Sequence, residues 1–100
     1  MLYFTQLIYI HPGKEATFHQ FEDLALAVLA KHHGKLLLRL RPEPQQLIAG
    51  EWETPYEVHL VSFDTEDDFQ AFARDQERKQ FLHLKEASVS RMVLIRGAML

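Results

Sequence analysis

Residues 2–41, LYFTQLIYIHPGKEATFHQFEDLALAVLAKHHGKLLLRLR, change hydrophobic period twice, and that change decides the fold. From Leu2 to His11 the residues are β-branched, aromatic or long and apolar, and the run stops at the turn dipeptide Pro12-Gly13, which predicts a strand. Between Lys14 and His33, Phe18, Phe21, Ala25, Val28 and Leu29 recur at steps of three and four. Glu15, His19, Glu22 and Asp23 take other positions, so the segment reads as an amphipathic helix. Gly34 is expected to supply the left-handed residue that ends it, with Lys31, His32 and His33 set against the negative end of the helix dipole. Leu36, Leu38 and Leu40 then alternate with Leu37, Arg39 and Arg41. The second strand should therefore carry leucine on one face and arginine largely on the other, and stop at Pro42.

Outward from this stretch, Pro42 to Pro55 holds clustered turn residues around Leu47-Ile48 and Trp52 and predicts a loop or short hairpin. Tyr56 to Phe63 predicts the third strand. Asp64 and Thr65 are candidate N-caps for a second helix, whose first turn carries Glu66, Asp67 and Asp68 and whose apolar face carries Phe69, Phe72 and Ala73. A break is expected near Asp75, with helix resuming toward Leu84. Ser88 to Arg96 reads as the last strand, ended by Gly97. The order is that of an α+β, ferredoxin-like βαββαβ sandwich: a four-stranded antiparallel sheet with two helices on one face.

A chain of 100 residues has material for one core, so residues 1–100 are expected to form a single domain. Apolar residues make up 47% and charged residues 25%, which is globular usage. The absence of cysteine excludes disulfides, thiolate catalysis and cysteine-bound metal. A net charge of −3 is the wrong sign for a nucleic-acid partner. The longest apolar run, Leu24 to Ala30, is far below the roughly eighteen residues of a membrane span, and the N-terminus lacks a basic leader, so the expected compartment is the cytoplasm.

Three stretches carry a resemblance: Tyr9-Ile10-His11-Pro12-Gly13-Lys14-Glu15; Gly50-Glu51-Trp52 with Pro55; and Asp75-Gln76-Glu77-Arg78 running to Ser88-Val89. In this order the chain resembles the dimeric α/β-barrel superfamily, which includes antibiotic-biosynthesis monooxygenase-like proteins. The resemblance implies a homodimer whose sheets face each other around a small-ligand cavity. It implies no single reaction, because such proteins include cofactor-free oxygenases, haem degraders and isomerases. Haem degraders of this kind carry an asparagine on the first strand; here Gln6 stands on that strand and the chain has no asparagine. No cofactor is expected.

Six histidines raise the question of a metal, but no two stand at helix spacing i, i+4, so no metal site is expected. On the first strand, Leu2, Phe4, Ile8 and Ile10 form the greasier face and are assigned to the helices. Tyr3, Thr5, Tyr9 and His11 would share the open side with Arg39 and Arg41, whose guanidinium groups suit a carboxylate or phosphate. The ligand-binding set expected there is Tyr3, Tyr9, Arg39 and Arg41, for a planar or anionic organic molecule, with Trp52 either as a lid over the cleft or as a staple of its loop to the partner subunit. Dimer packing and a solvated edge strand explain the same residues without a ligand. His59 and His11 are the candidate acids or bases should the protein be a cofactor-independent monooxygenase or isomerase of small aromatic substrates. The facing of His59 stays open: Glu57 favours the open side, Val61 and Phe63 the helices. Whichever parity of strands three and four meets the helices, apolar residues remain on the other face, which predicts an obligate homodimer through that face.

Overall fold

The computed structural model describes residues 1–100 and arranges them as β1 (Leu2–Ile10), α1 (Glu15–Lys31), β2 (Gly34–Leu40), β3 (Glu57–Phe63), α2 (Glu66–Ala73), α3 (Gln76–Gln80), α4 (Leu82–Ser88) and β4 (Val89–Gly97). A single 3-10 turn, Pro44–Gln46, interrupts the loop between β2 and β3. The strands pair antiparallel throughout in the order β2-β3-β1-β4, and the Cα atoms fill a slab of 38 × 35 × 16 Å, two layers thick. This is the ferredoxin-like α+β sandwich that the change of period predicts. No helix is long and apolar enough to cross a membrane.

The second helical region is broken into three because its sequence caps twice. The Thr65 hydroxyl accepts the Asp68 N–H at 3.1 Å and starts α2; the Asp75 carboxylate accepts the Arg78 N–H at 3.0 Å and starts α3. The break lets Phe81, off the stripe of Phe69 and Phe72, turn inward and bury against Phe21 at a centroid distance of 6.0 Å.

Pairing β1 with β3 and β4 sets Phe4 beside Val61 and Arg96, Gln6 beside His59 and Leu94, and Ile8 beside Glu57 and Met92, all on the helix-covered face. Two apolar clusters form there. Ile8, Phe18, Phe21, Val28 and Phe81 make one; Phe4, Leu29, Val61 and Phe63 make the other. On β1 the polar residue between Phe4 and Ile8 is Gln6, and on β3 the residue between Glu57 and Val61 is His59, so a polar layer separates the clusters.

Two expectations are corrected. Gly34 does not supply the left-handed residue after α1: His33 does, with φ 61°. Gly34 is required for a different reason, since a Cβ there would lie 2.6 Å from Leu29 Cγ and 2.9 Å from the Leu29 carbonyl oxygen. The β2 parity is also different. Leu36 pairs with Val61 and Leu38 with Leu60, so Leu37 is an extra residue that changes the facing of the strand. Leu36 joins the core beside Phe63, Leu38 and Leu40 turn to the open face, and Arg39, paired with His59, turns toward the helices.

The first of these corrections is testable. Gly34→Ala should destabilise the fold by about 1–3 kcal/mol through overpacking against Leu29. His33→Gly should be neutral or stabilising by up to about 1 kcal/mol, because glycine adopts positive φ without a Cβ penalty. Urea melts of the two variants check this; the opposite ranking would show that the connection is not held as described.

Candidate functional site

The site grows from one buried carboxylate. Glu57 opens β3 on the helix side and is only 1% exposed. Arg39 meets it with two parallel bonds, Nε to Oε1 at 2.8 Å and Nη2 to Oε2 at 3.0 Å. Arg41 adds Nε to Oε2 at 3.1 Å and a further contact from Nη2 to Oε2. The third donor is His59, whose Nε2 lies 2.8 Å from Glu57 Oε1. Burial alone would raise the Glu57 pKa, but the bonds from Arg39, Arg41 and His59 outweigh it and hold the carboxyl at about 2. An ionised carboxylate only accepts, so His59 Nε2 carries the proton and donates it; the lone pair of the neutral ring is then on Nδ1.

That Nδ1 faces Glu22 Oε2 at 3.8 Å. Glu22 was expected on the polar side of α1. It is buried instead, because it follows Phe18 by four residues and precedes Ala25 by three, placing it on the inward stripe. Burial raises its pKa to about 7, against the opposing charge of Arg39 and with Glu57 adding to the rise. Burial likewise lowers the pKa of His59, with Glu57 acting in the opposite direction.

Glu22, His59 and Gln6 border a cavity of about 230 Å³ between sheet and helices, walled mostly by apolar side chains that include Phe4, Phe18, Phe21, Ala25 and Phe72. Arg78 and Lys85 reach it from α3 and α4. Burial lowers the pKa of Lys85, and the charge of Arg78 lowers it further. Two cations therefore share the helical wall of an otherwise greasy space.

The residues expected to bind a ligand on the open face are not collected there. Arg39 and Arg41 turn to the helix side because of the extra residue in β2, and Glu57 engages both. Tyr3 and Tyr9 do lie on the open side, but six residues apart on one strand, roughly 20 Å. The Tyr3 hydroxyl points to Met1 Sδ at 3.2 Å. Tyr9 donates to the Glu53 carbonyl oxygen at 3.0 Å, and Arg91 lies between its ring and that of Trp52, at 4.2 and 5.5 Å from the centroids. Trp52 thus closes over the end of β1 and β4, away from the cavity. His11 is exposed beyond β1, its backbone N–H donating to the Ser88 carbonyl oxygen at 2.8 Å. Of the two candidate proton carriers, only His59 borders the cavity; its facing follows Val61 and Phe63, and Glu57 goes with it.

Three other histidines, His19, His32 and His33, serve contacts between elements. His19 Nε2 meets the Tyr56 hydroxyl at 2.6 Å, and His32 Nε2 meets Asp75 Oδ2 at 2.7 Å, tying the end of α1 to the start of α3. His33, Asp64 and Asp68 bring three potential metal-ligand atoms within 4.8 Å of one another, one from just after the end of α1 and two from around the start of α2. They are largely solvated and lie beside the first turn of α2, where carboxylates suit the dipole.

Two predictions test this geometry. Glu57→Gln removes the only anion facing Arg39 and Arg41 on β3 and should cost about 3 kcal/mol or more, measured by chemical denaturation at pH 7. An effect below about 1 kcal/mol would mean the carboxylate is not the anchor. The second concerns pH. Burial pushes the Glu22 pKa up from its ordinary value of 4.5 to about 7, so its contribution to stability is full below pH 4.5 and is lost as pH rises through 7. His59, held below its ordinary value of 6.5, acts in the opposite sense as pH falls. Glu22→Gln isolates the first effect: relative to the unsubstituted chain it should gain stability progressively between pH 4.5 and 7, by at most about 1.4 kcal/mol per pH unit. A difference between the two proteins that is constant with pH would refute the raised pKa.

Residues 7–98 match the family model described as Domain of unknown function (DUF1330). No curated protein matches significantly. Among solved structures, a protein of unknown function from Rhodopseudomonas palustris superposes with a TM-score of 0.85 at 18% identity, covering 99% of this chain and 82% of that one. A dimeric protein of unknown function and ferredoxin-like fold from Bacteroides fragilis gives a TM-score of 0.69 at 13% identity over 98% and 95% of the two chains. A dabb family protein with a ferredoxin-like fold from Mesorhizobium loti gives 0.68 at 13% identity over 99% and 96%. At these identities the likeness bears on the fold alone, and it is to small ferredoxin-like families, with nothing that singles out the antibiotic-biosynthesis monooxygenase-like proteins. The family match spans almost the whole chain, and the protein therefore belongs to the DUF1330 family.

Proposed function

We propose that this protein binds a small organic acid with a single ring in the cavity between sheet and helices, and that it does so as a homodimer joined through the helix-free faces of its sheets. The observation that carries the first part is the cavity itself, apolar along most of its wall but bordered by His59, Gln6, Arg78 and Lys85. A void of about 150 Å³ with apolar walls is enough to bind benzene, so about 230 Å³ suits one ring and a short substituent. Arg78 and Lys85 lower the cost of bringing in a carboxylate, which would relieve their mutual repulsion. The anionic ligand is thus assigned to the helix side of the sheet, beside Arg78 and Lys85, and not to Arg39 and Arg41, which Glu57 engages.

The dimer rests on the open face. Leu38, Leu40 and Ile95 are 46%, 42% and 52% exposed there, next to the half-buried Leu7, Val58, Leu60 and Val93. A continuous apolar sheet face with no helix over it is a partner surface, and a twofold pairing hides it with one set of residues. The Bacteroides fragilis relative in fold is itself described as dimeric. An enzymatic reading, as a cofactor-independent isomerase, is favoured over an oxygenase by one observation: the groups at the cavity wall, His59 and Glu22, are proton carriers.

Titration with phenylacetate followed by nuclear magnetic resonance tests the ligand. Saturable shifts at cavity residues are expected, with affinity at least tenfold weaker in Lys85→Gln or Arg78→Gln and lost in Ala25→Phe, which fills the space. Shifts confined to the region of Tyr9 and Trp52 would relocate the site. For the assembly, sedimentation at low micromolar concentration should give a dimer burying well over about 1,000 Å², and Leu60→Asp a folded monomer; a folded monomer without the substitution would overturn the pairing.

A further inference from the structure

Resting on the ligand reading above, we infer that the cavity catalyses enolisation of a 2-keto acid bearing one ring, with His59 Nδ1 as the base and the Glu22 carboxyl as the acid. Three placements carry this. The hydrogen bond from His59 Nε2 to Glu57 Oε1, at 2.8 Å, fixes which nitrogen keeps the lone pair and leaves Nδ1 to act as base. Nδ1 and Glu22 Oε2 are 3.8 Å apart, too far for a direct hydrogen bond, so both remain available to a molecule lying against them. Both residues border the same cavity as Arg78 and Lys85, so the proton carriers and the two cations that would receive a carboxylate line one space.

The step balances without an oxidant or cofactor. His59 Nδ1 takes a proton from the carbon next to the keto group. The electron pair of that C–H bond forms the carbon–carbon double bond, and the carbonyl π pair moves to oxygen, which takes the proton from the Glu22 carboxyl. An imidazolium and a carboxylate are left facing each other, and after the enol leaves the proton passes from Nδ1 to Oε2, restoring both groups. Glu57, held ionised by Arg39 and Arg41, stabilises the imidazolium while it exists, as a carboxylate does behind a catalytic histidine. Glu57 and Arg39 are positioning residues here, because neither touches the substrate.

The charge environment supports the assignment. Glu22 is faced by His59 and Glu57 from β3, by Arg39 from β2 and by Lys85 from α4, with Asp23 beside it on α1. Burial pushes Glu22 up to about 7 and His59 down from 6.5, so over an interval of pH below 7 the acid is protonated while the base is neutral.

Phenylpyruvate in D₂O, with loss of its C3 proton signal followed by nuclear magnetic resonance, is the test. The full chain at pH 6.5 should accelerate exchange at least tenfold over buffer, with saturation and with a rate that falls above pH 7 as Glu22 ionises. His59→Gln and Glu22→Gln should each lower the rate at least tenfold while still binding phenylacetate. Ala25→Phe, which leaves both proton carriers in place, should abolish exchange by blocking the cavity. Phenylacetate binding without accelerated exchange would overturn the catalytic inference and leave the binding reading standing. Exchange that survives in His59→Gln and Glu22→Gln would also overturn it. Absence of phenylacetate binding would instead defeat the binding reading on which the inference rests.

Discussion

One buried anion organises this molecule. Glu57 sits at the start of a central strand with almost no exposure to water, and an isolated carboxylate in that position would be neutral or would disrupt the core. It is ionised because two guanidinium groups and an imidazole satisfy it together, with Arg39 in the paired geometry that a carboxylate fits best. The requirement runs outward from there. The arginines must reach the helix side of an edge strand, which needs the extra residue in β2. That strand must begin tight against α1, which needs Gly34. The imidazole must present its protonated nitrogen to Glu57, which turns the other nitrogen to Glu22.

Such an arrangement is not an efficient way to stabilise a small domain. Replacing buried ion pairs with hydrocarbon is often neutral or favourable, so a cluster of this kind is weak support for stability in itself. Its position suggests what it is for. The polar layer of Gln6, His59 and Glu22 interrupts the core between two apolar clusters, and the packing gap lies there too. A close-packed interior would close that gap if only stability mattered. Departures from good packing and from ordinary ionisation occur together here, in a fold that otherwise follows its local sequence preferences, and that coincidence is what motivates the proposed site.

The two faces of the sheet differ in character. The helix face holds the cavity and its titratable groups; the open face holds leucine, valine and isoleucine at half exposure, with Arg91 between Tyr9 and Trp52 at one end. Assembly through the second face would leave the first undisturbed, so that pairing of subunits and ligand entry need not compete for the same surface.

Hydrophobic period alone determined the element order and hence the sandwich, because a stripe at steps of three and four and an alternation of two are local properties of the chain. The cap at Thr65 was legible for the same reason, as was the break near Asp75, though not that Asp75 itself caps the next helix. The facing of β2 was not, since one extra residue at Leu37 inverts everything after it, and only pairing with β3 shows where the strand absorbs it. That inversion moved Arg39 and Arg41 from the open face to the helix side and dissolved the expected cleft with Tyr3 and Tyr9. Glu22 stood within the inward stripe of α1, between Phe18 and Ala25, but its charge argued for solvent. Partners 17 and 35 residues away along the chain, Arg39 and Glu57, decide its environment, and no local pattern encodes them. The sequence by itself determined which residues form which elements. Which charges are buried together, and therefore which nitrogen of His59 is free, was decided only by the tertiary structure, because ionisation depends on neighbours in space and not on neighbours in the chain.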